Sequence, residues 1–437
     1  STGLFQHRQD DQFTLDLDLT TQLDNHLLEF GVGGSRHTVR GYGIFPVSLG
    51  GQIEGLSTEE KFANLQPWSF GYDATGATQT TSDYAATDPL LESAGSHPSM
   101  NQFFRPREPV FLYAYIQDRF ELEDLVINLG LRVDYYDIQA WELRNFQLPY
   151  GDPNNPDNLD LTRFDIGDFK VKDVEVELSP RIGIGFPVTE STVFHAQYGR
   201  FIQAPELNDM YAGPFSYDRY ITMEPQSGFN GGLIREETTQ YEIGLRQLLG
   251  NNSALNLTLF YKNIKGLANR QNNLYQREED GEILNAIYTV NADFGTNKVV
   301  AFSLDVTRLS YFSLSLQYTF STAEGTGSST NSSQTAVFRN TDREAPKVIA
   351  PLDFDQRHTG ILIVDFYIQQ GDAGIWEMFN VSTIISFASG RPYTPVTTWD
   401  ILGDNGLSAE NTGYVNSANG PGTFRVDLKM EKSFPVG

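Results

Sequence analysis

From Phe312 to Phe320 every second residue is apolar: Phe312, Leu314, Leu316, Tyr318 and Phe320 alternate with Ser313, Ser315, Gln317 and Thr319. A period of two places one set on each face of a β-strand. The same alternation recurs along the chain. Phe13, Leu15, Leu17 and Leu19 alternate with Thr14, Asp16, Asp18 and Thr20, and Leu28, Phe30 and Val32 follow. Leu112, Ala114 and Ile116 lead to a tight turn near Glu123–Asp124, then Leu125, Ile127, Leu129, Leu131, Val133 and Tyr135. Ile182, Ile184 and Phe186 meet Phe194, Ala196 and Tyr198 across a short turn; Tyr241, Ile243 and Leu245 meet Leu255, Leu257, Leu259 and Tyr261 across another. Phe302, Leu304 and Val306 precede the opening stretch, strands near 357–368 and 379–389 follow it, and Phe424, Val426, Leu428 and Met430 form the last. Helical spacing is hard to find, so the chain is predicted to be all-β with about thirteen strands.

The gaps carry a second regularity. Short turns (22–25, 123–124, 187–191, 249–253, 309–310 and 369–377) alternate with long polar connections over 44–107, 140–176, 201–236, 264–298, 323–356 and 390–421. A sandwich has turn signals at even spacing, whereas a transmembrane barrel has short turns at one rim and long loops at the other. The predicted fold is a transmembrane antiparallel up-and-down β-barrel in a bacterial, Gram-negative outer membrane. On that fold the apolar face of each strand meets lipid and the polar face meets a wet lumen. Nine residues from Phe312 to Phe320 match the roughly 9–11 that a tilted strand needs to cross a bilayer.

Lumen-facing positions follow from the same parity: Asn128, Arg132 and Asp134; Glu242 and Arg246; Asn256 and Lys262; Arg425, Asp427, Lys429 and Glu431. In a sandwich core these charges would need partners or cost several kcal/mol each. In a lumen they can pair with each other or with water.

Composition narrows the function. The 437 residues include 31 Lys and Arg against 56 Asp and Glu, a formal charge of −25, which argues against a nucleic-acid partner. Aromatics reach 13 %, and cysteine is absent, which removes disulfides and thiolate metal sites. No run approaches the roughly 20 apolar residues of a membrane-spanning helix. The start "STGLFQHRQDDQ" lacks the basic-then-apolar pattern of an export signal, so residue 1 is not expected to be the start of an exported protein.

Several phrases then resemble one family, in order along the chain. They are "FTLDLDLTTQLDNHLLEFGVG" at 13–33, "YAYIQDRFELEDLVINLGLRVDYYD" at 113–137, "LSPRIGIGFPVTESTVFHAQYGRFIQAPEL" at 178–207, "TTQYEIGLRQ" at 238–247 and "SGRPYTP" at 389–395. Together they resemble the C-terminal part of the barrel of TonB-dependent outer-membrane receptors, more narrowly the Oar-like group that carries a carboxypeptidase-regulatory-like domain. The resemblance implies a barrel of about 22 strands plugged by an N-terminal domain. It implies that residues 1–437 are the C-terminal portion of that barrel, with the plug and first strands outside this chain. Glu236 and Glu237 depart from the Pro-Glu common in the family at that point. The implied function is energised import of a scarce ligand. Its implied partners are the TonB–ExbB–ExbD complex acting through the plug, membrane lipid and lipopolysaccharide, and a surface lipoprotein. A passive porin, and a surface adhesin or scaffold, are the rival readings.

No catalytic set emerges. The six histidines form no metal-ligand spacing, no nucleophile or phosphate motif occurs, and the chain is read as a non-enzyme without a cofactor. A weak calcium candidate is Asp152, Asn154, Asp157 and Asp160, whose oxygens suit Ca²⁺ but also suit a turn-rich loop. Tyr211, Tyr217 and Asp218 lie in the aromatic, acidic stretch 199–220 and are ligand-loop candidates. Phe201, Tyr211, Phe215 and Tyr217 could equally belong to an aromatic girdle at the membrane interface.

Overall fold

Two-residue turns set the register of the first hairpins. Leu23 pairs with His26, which leaves Asp24 and Asn25 as the loop, and Asp24 takes φ 48°. Positive φ there matches the right-handed twist of the flanking strands, which is why Asp-Asn suits the site. Ser310, with φ 55°, serves the same purpose between Leu309 and Phe312. In the computed structural model the described residues are 5–44, 68–72, 78, 105–144, 169–211, 227–228, 230–276, 283–332, 347–396 and 412–434.

Thirteen strands follow one another across a single sheet in chain order, each antiparallel to the next. They are β1 (Phe5–Leu23), β2 (His26–Ile44), β3 (Val110–Leu122), β4 (Leu125–Asp137), β5 (Glu175–Thr189), β6 (Thr192–Gln203) and β7 (Glu236–Leu248). Next come β8 (Ser253–Gln276), β9 (Ile283–Leu309), β10 (Phe312–Gly325), β11 (His358–Tyr367), β12 (Phe379–Ala388) and β13 (Thr423–Lys432). Short segments attach at the long-connection end: Trp68–Phe70 on β2, Ser227–Gly228 on β9 and Ala350–Pro351 on β10. The meander is that of an up-and-down barrel wall.

One expectation fails. The 264–298 stretch is not a connection, because β8 runs on to Gln276 and β9 starts at Ile283. These strands of 24 and 27 residues are more than twice the length a bilayer requires. Alternation vanishes there because no lipid faces the ribbon. Backbone pairing and docked segments hold it instead: Asn230 Nδ2 donates to the Thr289 carbonyl at 2.8 Å, and Thr326 Oγ1 donates to Asp293 at 2.9 Å. A bulge at Gly266 (φ 74°) shifts the register between Lys265 and Leu267. A side chain at Gly266 would meet the Arg235 carbonyl at 2.9 Å, so glycine serves both the bend and the approach.

Burial is inverted relative to a soluble sheet. Cross-strand register assembles an apolar row of Leu255, Leu304, Leu316, Leu362, Ile385 and Val426 across β8 to β13. At the other edge Phe13, Leu15, Leu17 and Leu19 stand 57–72 % exposed, while Asp134 and Glu177 on the opposite face are 5 % and 8 % exposed. Aromatic pairs flank the apolar stretch of β10: Phe312 against Phe366 at 4.9 Å, and Phe320 against His358 at 5.3 Å. The main buried hydrophobic cluster (Val39, Phe70, Ile138, Ala140, Met210, Tyr211 and Leu233) lies at the long-connection end and not between layers.

Candidate functional site

The eleven sequence-predicted inner-wall residues share one face of the sheet. Asn128 aligns with Gly183, Arg132 with Ser179 and Asp134 with Glu177. Glu242 aligns with Gln197 and Arg246 with Asn256. Arg425, Asp427 and Lys429 align with Ser386, Ile384 and Ser382. Every one lies opposite the apolar rows.

Their surroundings differ by position. At β1 to β4 the face is paved. Tyr115 lies over Gly31 and donates its hydroxyl to Asp18 at 2.8 Å, and Tyr113 lies over Gly33 and donates to Asp16 at 2.7 Å. A β-carbon on Gly31 would stand 2.0 Å from the Tyr115 ring, so only glycine lets the phenol cross that strand. The Arg132 guanidinium covers the Tyr113 ring at 4.0 Å and donates from Nε to Asp134 at 2.8 Å. On β13 the charges are open, with Arg425 paired to Asp427 at 2.8 Å and Lys429 to Glu431 at 2.6 Å.

Farther along, the ladder between β5 and β6 begins only at Arg181 and Gly199. Toward the long connections the two strands part, although β5 still pairs with β4 from Glu175, and β6 with β7 out to Gln203. Ion pairs span the parting. Arg235 bonds Glu175 at 2.9 Å and also Glu177, Arg200 bonds Glu177 at 3.0 Å and Glu237 at 2.9 Å, and Lys172 bonds Glu175 at 2.6 Å. Sequence reading missed this network, since its partners come from three separate stretches, up to sixty residues apart, and leave no periodic trace. It also missed that Ile361, Ile363 and Ile384 put apolar side chains on the polar face, because "GILIV" at 360–364 and the adjacent isoleucines 384 and 385 have no alternation to read.

Tyr211 is not an open ligand contact. It is 2 % exposed, packs edge-on against Phe70 at 5.9 Å and donates its hydroxyl to the Ile138 carbonyl at 2.6 Å. Burial pushes its phenol well above the ordinary range, and likewise pushes the carboxyl of Asp209, in the short helix Leu207–Met210, upward. Phe201 is no girdle residue either, because it shares the polar face with Arg181, whose guanidinium covers its ring at 4.7 Å. Tyr217, Asp218, Phe215 and the calcium candidates Asp152, Asn154, Asp157 and Asp160 lie outside the described residues. Among the described residues no three His, Asp or Glu gather as a metal-binding group.

The family model for the TonB-dependent receptor-like β-barrel matches residues 1–436. Among solved structures, the FrpB iron transporter from Neisseria meningitidis (F3-3 variant) aligns with TM-score 0.51 at 11 % identity over 97 % of this chain and 48 % of its own. The outer membrane transporter YddB from Escherichia coli aligns with TM-score 0.51 at 11 % identity over 98 % of this chain and 48 % of its own. The chain thus spans about half the length of the solved structures it matches. No curated protein matches the sequence significantly.

Proposed function

Because this chain belongs to the TonB-dependent receptor-like β-barrel family, we propose that the complete protein captures a scarce ligand at the cell surface and imports it with energy transduced from the inner membrane. It is an outer-membrane protein. In this reading the barrel is a passive partner. It supplies a rigid wall, a hydrophilic lining and a set of outer connections, while TonB–ExbB–ExbD acts through a plug. The polar face, including Arg132, Asp134 and Glu242, lines the lumen around that plug. Lipid and lipopolysaccharide surround the apolar face, and a surface lipoprotein is a further partner at the outer rim.

One observation carries the reading: on β1 and β4 Leu17, Leu19, Leu129 and Leu131 stand open on one face, while Asp134 and Glu177 are occluded on the other. Water on both sides would favour the reverse arrangement. Lipid outside and a filled, wet interior favour this one.

The test is transport in cells carrying the full gene, on whichever nutrient a deletion strain fails to use. Uptake should stop when a protonophore discharges the proton gradient, with ligand still bound at the surface. Continued uptake, together with steady conductance in planar bilayers, would mark a passive porin. A strain with altered attachment and no growth defect would mark an adhesin or scaffold.

A further inference from the structure

A cavity of about 470 Å³ opens between the Val348–Arg357 segment and the Tyr414–Asn419 segment, at the long-connection end of β10 to β13. Its size falls in the range of small-molecule sites, roughly 300–1,000 Å³. The frame is firmly built. Ala350–Pro351 pairs with the end of β10, and the Ala323 amide donates to Asp355 Oδ1 at 2.9 Å. Asn416, at φ 53°, ties the second segment to the first: its Nδ2 donates to the Pro351 carbonyl at 2.8 Å and to Asp353 Oδ1 at 2.7 Å. Pro392–Tyr393 pairs with Ala418–Asn419 behind it.

The lining selects a chemistry. Its two charges neutralise one another, since Arg357 Nε donates to Asp355 Oδ2 at 2.8 Å, and Asp355 is 3 % exposed. Glu324 stands 3.8 Å from the same guanidinium, so an anionic ligand would meet no spare positive charge. The chain's net charge of −25 opposes anions further. What the walls offer is hydrogen bonding from Ser417, Asn419 and the remaining guanidinium N–H groups, beside the apolar surfaces of Val348, Ile349 and Pro351. Tyr414, 86 % exposed, stands at the rim as an open aromatic face with a hydroxyl.

We propose that this cavity is the ligand subsite of the receptor and takes a neutral saccharide of one or two rings, stacked by its C–H face on Tyr414. The assignment rests on the import reading for its biological role. Binding itself requires neither a proton gradient nor TonB.

Isothermal titration of the full-length protein in detergent would use maltose, cellobiose, lactose and diacetylchitobiose, with digalacturonate and tri-alanine as chemically different probes. At least one neutral disaccharide should bind. Tyr414→Ala should raise its Kd about five- to tenfold, the size expected for loss of an aromatic contact. Trp376→Ala, exposed at the opposite, short-turn end, should leave Kd unchanged. Should Tyr414→Ala fail to fold, Asn419→Ala reads the same cavity. Binding of none of the four neutral sugars, binding only of digalacturonate or tri-alanine, or sugar binding indifferent to the cavity variants would each overturn the proposal. Sugar binding that survives while uptake proves insensitive to the protonophore would leave the subsite standing and remove energised import.

Discussion

Leu316→Arg is expected to destabilise the barrel by about 2–4 kcal/mol, the cost of a cationic side chain on the lipid face near the bilayer midplane. Gln317→Arg, one residue along, should be close to neutral. Leu316 lies midway between Phe312 and Phe320, at the centre of a nine-residue apolar-alternating stretch. Its cross-strand partners are Leu304 on β9 and Leu362 on β10's other neighbour, β11. A guanidinium there could neither pair nor reach water without tilting toward an interface. Gln317, by contrast, aligns with Ser303 on the polar face. Heat-modifiable migration after folding into lipid vesicles reads assembly, and urea titration of the folded fraction reads the free energy. Equal tolerance of both substitutions would remove the membrane from the account.

Arg235→Ala should cost roughly 2–4 kcal/mol, because it leaves two occluded carboxylates short of a partner. Glu175 and Glu177 have side chains 14 % and 9 % exposed, and both bond Arg235. Lys172 and Arg200 remain on them and hold the loss below that of a fully stranded charge. Arg235→Lys should recover only part, since an ammonium cannot serve two carboxylates as a planar fork does. The effect should be local, with faster hydrogen exchange in the 175–181 segment, where β5 lacks β6, and unchanged exchange across the β4–β5 ladder below Arg181. A shift under about 0.5 kcal/mol, the range of an exposed pair, would mean that the ion pairs do not hold the parted strands.

What was legible in the sequence was whatever the membrane forces into alternation. A strand with lipid on one side and polar contents on the other has no latitude at Leu314, Leu316 or Leu257, so its existence and facing can be read residue by residue. Where that constraint lapses, so does the signal. The ribbon from Ile264 to Lys298 has no lipid face, and its Asn269, Thr289 and Asp293 are buried under docked segments. Local composition presents such a stretch as a loop. Ile361 and Ile363 alternate with Gly360, Leu362 and Val364, so β11 is apolar on both faces and parity alone cannot orient it. At the candidate sites, Tyr211 had the composition of a ligand contact, but its partners, Phe70 and the Ile138 carbonyl, come from distant connections. The cavity between Val348 and Asn419 is likewise made by two segments that no short motif joins.

The absence of native cysteine allows one direct measurement on the whole account. Leu316→Cys and Gln317→Cys, each carrying a nitroxide in the protein folded into lipid vesicles, report their surroundings by collision with oxygen or with a water-soluble nickel chelate. With Leu316 against acyl chains and Gln317 toward the lumen, the label at 316 should relax with oxygen and be shielded from nickel, while the label at 317 should show a higher ratio of nickel to oxygen collisions. Nickel access at 316 equal to or above that at 317 would contradict that placement.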